Sequence, residues 1–196
     1  MIDWRSVLTL VGAVGCGLIA GVFFAFSTFV MKALSRIPPA HGIAAMQSIN
    51  VVVINPWFMT AFLGTGVVCV VLAVVSILTW GQPAAVFELT GSLSYLLGTF
   101  LVTIVFNVPR NNALAATDPA SDDGARLWAG YLRSWTAWNH VRTAAALLAM
   151  VLLILALRSS GEQLTARREI SAPATAMPPG FDPCARVVSL PTFSRA

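Results

Sequence analysis

"SWTAWNHVRTAAALLAMVLLILAL", Ser134–Leu157, decides how this chain is built. Its second half is an unbroken apolar run that belongs in lipid. Its first half crowds two tryptophans, an asparagine, a histidine and an arginine onto the threshold of that run. Charged and amide groups at membrane depth face an interior cavity and need partners. The stretch therefore predicts a membrane helix that carries a polar interior site near one end.

Composition points the same way. Of 196 residues, 57% are apolar and only 10% charged, whereas a soluble domain carries about 25% charged residues. Four apolar segments stand out: Ser6–Met31, Trp57–Trp80, Ala84–Phe106 and Trp138–Leu157. Each can cross a hydrocarbon core of about 30 Å at 1.5 Å per residue. Trp4, Trp57, Trp80 and Trp138 fall at segment ends, where interfacial aromatic belts form. The first run is long and lacks an A-x-A-like cleavage site, which predicts a retained span rather than a signal peptide. The expectation is an all-α, four-transmembrane-helix bundle over residues 1–158, in a multi-pass protein of the cell membrane. Residues 159–196, with "APATAMPPGFDP" and no apolar periodicity, are expected to form a disordered tail. A net charge of +4 with no basic cluster among aromatics argues against nucleic-acid binding. Cys16, Cys69 and Cys184 make no C-x-x-C pair, so neither a disulfide framework nor a thiolate metal site is expected.

The helices should outrun the bilayer on one side. From Gly124 to Leu157 there is no proline, which allows a helix of about 50 Å, and "SDDG" before it offers an Asp N-cap. Arg158 marks its far end, so the excess projects on the side of loops 32–56 and 107–137. The first segment can be capped by Asp3 and meets no breaker until "IPP" at Ile37–Pro39. "PAHGIAAMQSINVVV" adds a short interfacial helix. Extended helices and loop helices are thus expected to cap one mouth of the bundle. Between spans two and three, "WGQPA" makes a tight turn with Pro83 at a helix start. Ala13, Gly17, Gly21 and Ala25 recur every four residues, a stripe that serves close helix packing or, alternatively, a homodimer. Lys and Arg divide almost evenly between the two sides, and the balance leans towards cytoplasmic termini.

Three polar clusters converge on the capped mouth. "HGIAAMQSINVVVINP" gives His41, Gln47, Asn50 and Asn55; "FNVPRNNALA" gives Asn107, Arg110, Asn111 and Asn112; the third is "WTAWNHVRT". At about 100° per residue, Trp135, Asn139, Arg142 and Thr143 share one arc, with His140 flanking it on one side and Trp138 on the other. Asn139 and Arg142 should then point into the bundle, with the amides of Asn50, Asn55, Asn107 and Asn111 as partners. The bland alternative is that these groups satisfy loop carbonyls or grip lipid phosphates. The two histidines are too few ligands for zinc or iron. A bis-histidine haem would need both inside spans, and His41 sits in a loop. No metal or other cofactor is expected. Glu88 belongs to the opposite mouth, where solvation or snorkelling is expected. No span carries an ionisable residue at its centre or a midplane break, so a transporter fits poorly.

In the order "FAFSTFVMKAL", "IPPAHGIAAMQSIN", "NPWFMTAFLGT", "LLGTFLVTIVFNVPRNNALA" and "WAGYLRSWTAWNHVRTAAALLA", the chain resembles the DUF1772, or anthrone oxygenase-like, family of small integral membrane proteins. The resemblance covers roughly residues 20–157. It implies a cofactor-independent oxidation of an anthrone, or another lipophilic aromatic molecule, by molecular oxygen. Such chemistry needs a base, donors for a delocalised oxyanion and a flat apolar slot. His140 is the candidate base, since an unperturbed imidazole titrates near operating pH. Arg142, Asn139 and Asn111 are candidate donors. Trp135 and Trp138 are candidate stacking walls, and Asn50, Asn55, Asn107 and Arg110 complete the expected substrate site. The expected partners are this substrate, oxygen and membrane lipids. The competing expectation is a non-enzymatic membrane protein that binds a lipid or lipophile or supports a partner complex.

Overall fold

The computed structural model describes residues 3–171, with side chains through Gly161. Five helices follow in order: α1 (Trp4–Leu34), α2 (Pro39–Val52), α3 (Pro56–Leu78), α4 (Pro83–Ala115) and α5 (Asp122–Ser171). No strand occurs among the described residues. Four of these helices (α2 is the exception) are long and apolar enough to cross a membrane, and the chain is a membrane protein. Helix α5 runs past the expected boundary at residue 158. The rest of the expected tail, 172–196, lies outside the described residues.

Local sequence explains the helix ends. The Asp3 carboxylate accepts from the Ser6 amide at 2.7 Å, and Asn55 Oδ1 accepts from the Phe58 amide at 3.0 Å, so each satisfies an orphan donor of a first turn. Pro39, Pro56 and Pro83 open their helices, where the missing N–H costs nothing. Gly81 takes φ +100° in the turn between α3 and α4, a conformation open to glycine. The cap of α5 corrects the expected aspartate: Ser121 Oγ accepts from the Gly124 amide at 2.9 Å, while Asp122 and Asp123 occupy the first turn.

The membrane core draws on all four long helices: Cys16 and Ile19, Phe62 and Cys69, Tyr95, and Ala146 and Ala149. Lipid is as apolar as these side chains, so shape and cross-helix hydrogen bonds hold the helices together rather than the hydrophobic effect. At Gly98 a β-carbon would stand 2.5 Å from Ala145 Cβ, so α4 and α5 meet at a contact only glycine permits. Tyr95 OH donates to the Phe62 carbonyl at 3.0 Å, and Ser94 and Thr99 donate to the Ala145 and Arg142 carbonyls at 2.9 and 3.2 Å. Such bonds contribute about 0.6 kcal/mol each. The expected small-residue stripe on α1 packs only in part. Ala13 is buried and Gly17 faces Met150, but Gly21 is exposed with open space around it.

Above this core a second one forms the cap. Met31, Ile43, Met46, Leu114, Trp128, Tyr131 and Trp135 bury one another where α1, α4 and α5 outrun the span and α2 lies across them. Gln47 Nε2 ties α2 down by donating to the carbonyls of Leu114 and Thr117 at 2.8 and 3.0 Å.

Two helices are not regular. Phe26–Val30 in α1, and Ser94–Leu101 and Thr103–Asn107 in α4, form wider, π-type turns. In α4 this precedes Pro109, which cannot donate to the preceding turn and whose ring would crowd it. The helix widens there rather than ending near Phe106 as the sequence suggests.

At the opposite end, Glu88 corrects its expectation. It is only 1% exposed and pairs with Arg5 at 2.6 Å, while Thr9 and Ser76 donate to it at 3.0 and 3.1 Å. Its partners come from two other helices, so this carboxylate ties α1, α3 and α4 together.

Candidate functional site

Beneath the cap lies a cavity of about 330 Å³, within the range that accommodates a small ligand. Phe23, Phe26, Phe58, Phe62, Phe100 and Trp135 supply aromatic walls, and aliphatic side chains complete them. Polar groups are few: Asn50, Thr103, Asn111 and Arg142. Arg142 is the only ionisable side chain in this lining.

Arg142 is 3% exposed and meets no carboxylate among the described residues. Its Nη2 donates to Asn139 Oδ1 at 2.6 Å and its Nη1 to Thr103 Oγ1 at 3.2 Å. The guanidinium carbon lies 4.1 Å from the centre of the Phe23 ring and 5.0 Å from that of Trp135. Ring quadrupoles, rather than a counter-ion, thus stabilise the cation. Asn139 stands behind it, its Nδ2 donating to the Phe23 carbonyl and to Ser27 Oγ, both at 2.7 Å. This asparagine therefore orients Arg142 and does not line the cavity.

Asn111 organises the neighbouring wall. Its Oδ1 accepts from Tyr131 OH and from Trp135 Nε1, both at 2.8 Å, which fixes the indole plane. Among the described residues, four buried side-chain polar atoms lack a hydrogen bond: Asn50 Nδ2, Arg142 Nε, Asn107 Oδ1 and Ser92 Oγ. The first two are donors on residues that line the cavity. Asn50 Nδ2 lies within reach of the Tyr131 hydroxyl but closes no bond to it. Both atoms are shielded from the cavity itself, so what Arg142 and Asn50 present to it is the rest of their polar side chains.

The remaining candidates lie elsewhere. His140 is exposed and is not part of the cavity wall, so the geometry does not give it the position of the expected base. Trp138 stacks on Phe106, ring centres 3.6 Å apart, outside the cavity. Asn55 is consumed as the cap of α3. Arg110 donates to Ser134 Oγ at 3.0 Å and to the Phe106 carbonyl at 2.6 Å, bracing the irregular turn of α4. Asn107 is buried and donates to the Trp135 carbonyl at 3.3 Å. His41 is exposed on α2. No group of three or more His, Cys, Asp or Glu side chains with metal-binding geometry occurs among the described residues. The phenylalanines and Thr103 were not singled out from the sequence. Their only signal is the i, i+4 spacing of Phe58 with Phe62 and of Thr99 with Thr103.

Residues 58–152 match the model of a family described as anthrone oxygenase. Over that stretch the chain is similar to the anthrone oxygenase family. No curated protein and no solved structure matches the chain. The anthrone oxygenase stretch contains Phe62, Phe100, Thr103, Asn111, Trp135, Asn139 and Arg142. Phe23, Phe26 and Asn50, from α1 and α2, reach the same cavity from outside it.

Proposed function

We propose that this protein, in the cell membrane, oxygenates an anthrone-like lipophilic aromatic molecule inside the cavity under the cap. The observation that carries the reading is an aromatic-walled cavity whose one charge is a buried arginine with no carboxylate partner among the described residues. A flat polycycle fits between Phe and Trp rings. Its oxygen is met by the polar side chains of Arg142 and Asn50 in the cavity wall.

The chemistry follows from that pairing. The CH₂ opposite the ketone loses a proton to water, since no carboxylate or imidazole lines the cavity. Arg142 stabilises the enolate left behind, at a place where low polarity strengthens its effect. The enolate passes one electron to molecular oxygen, the radical and superoxide combine into a peroxide anion on that carbon, and this takes back the proton held by water to become the hydroperoxide. Loss of water cleaves the O–O bond and leaves a second carbonyl. One oxygen atom ends in the quinone and the other in water. The chain's own contribution is to bind, flatten and polarise the substrate. Purified protein in lipid vesicles, given anthrone under air, should consume one molecule of oxygen for each anthraquinone formed. A rate equal to that of protein-free vesicles would refute the reading.

A second reading is a membrane protein that binds such a lipophile without turning it over. The absence of an acid–base side chain from the cavity lining favours it. Saturable anthrone binding without oxygen uptake would establish it.

A further inference from the structure

We propose that ligands enter this cavity sideways from the bilayer, through a portal between α3 and α4 framed by Leu63 and Ile104. This rests on the cavity being the ligand site and is independent of the reaction performed there.

Two sides of the cavity are shut. Towards the cap, α2 covers it with Met46, Ile49 and Asn50. Met46 is fully packed between Ile43, Trp128 and Tyr131, and Gln47 holds the helix down onto the end of α4. Towards the bundle axis, Phe23, Phe62, Trp135 and Arg142 are all buried. The third side differs. Leu63 on α3 and Ile104 on α4 line the cavity and are also 43% and 49% exposed at the protein surface. Ile54 and Val108 continue the same exposed rim.

The backbone explains the gap. Helix α3 packs along α4 from the Gly81 turn as far as Leu101, and the contact thins beyond it. That is where the second π-type segment, Thr103–Asn107, begins ahead of Pro109. The irregular turn that accommodates the proline therefore also leaves the space between the helices. The rim is aliphatic, and Leu63, Ile104 and Val108 lie within helices apolar enough for lipid. Ionic solutes have no route through it, so what it admits is a molecule already dissolved in acyl chains. For such a molecule burial in the cavity brings no hydrophobic gain, because lipid is equally apolar. It would be held instead by ring stacking and by the polar side chains of Arg142 and Asn50 at the inner end.

The test uses the full chain in phospholipid vesicles, with Cys184→Ser as background and anthraquinone as the probe. Quenching of tryptophan emission reports its arrival beside Trp135, and a Trp135→Phe control subtracts the exposed tryptophans. Ile104→Cys is labelled with a bulky maleimide after folding, and Val74→Cys, exposed on α3 away from the cavity, is labelled likewise. Label at 104 should slow saturable quenching by about tenfold, the low end of the range over which association rates of related complexes vary. Label at 74 should leave the rate unchanged, and Gln47→Ala should not raise it. An unchanged rate with label at 104 would overturn the portal. So would the absence of saturable quenching in unlabelled protein. Portal-dependent quenching without anthrone oxidation would leave the portal standing and refute the oxygenase reading alone.

Discussion

Replacing Arg142 by methionine should cut turnover sharply while leaving the protein folded. The two effects separate because the arginine is costly to bury and useful only to a ligand. Removing it orphans Asn139 Oδ1, at about 1–3 kcal/mol for an unpaired buried acceptor. It also removes the contacts with Phe23 and Trp135, worth up to about 2 kcal/mol each where desolvated. Against this stands relief of the desolvation of a charge without a carboxylate partner, itself several kcal/mol. The terms are of similar size and opposite sign, so the thermal midpoint should move by only a few degrees. For the reaction there is no such offset. Losing a donor to the enolate should lower turnover by about a hundred- to a thousandfold. Arg142→Lys keeps the charge but not the planar fork and should fall between. The assay is anthrone oxidation in vesicles, by absorbance and oxygen uptake, with thermal unfolding of the same preparation. Arg142→Met turning over at the wild-type rate would refute the reasoning. So would a variant that unfolds and is rescued in stability, but not in activity, by lysine.

His140→Ala should leave both oxidation and stability unchanged, since the side chain is exposed and outside the cavity; a folded but inactive variant would reinstate it as the base. Glu88→Leu leaves the Arg5 guanidinium without its counter-ion and should destabilise the protein by about 3–5 kcal/mol, measured by thermal unfolding. Arg5→Met with Glu88→Leu should recover most of that loss, and neither variant should alter turnover per folded molecule.

The four crossings were legible because hydropathy and length alone specify them, and the cap because no breaker stops α1 or α5 at the membrane surface. Arg142, Trp135, Asn50 and Asn111 were legible as polar or aromatic exceptions in apolar surroundings. The aromatic walls were not. In a span where both faces are apolar, hydropathy does not fix helix rotation: Phe23 is buried against Arg142 while its neighbour Phe24 is 53% exposed. The same ambiguity misplaced His140. Two residues along a helix is about 200°, so His140 and Arg142 cannot both face one cavity unless it wraps most of the helix. Glu88 was misread because its partner Arg5 lies far away in sequence, and composition alone does not pair them.

The most direct test supplies purified protein in vesicles with anthrone and isotopically heavy molecular oxygen, and weighs the product. The account predicts anthraquinone carrying a single heavy oxygen atom, formed far faster than in protein-free vesicles and lost with Arg142→Met. Product formed no faster than in protein-free vesicles, or at equal speed by Arg142→Met, would contradict it.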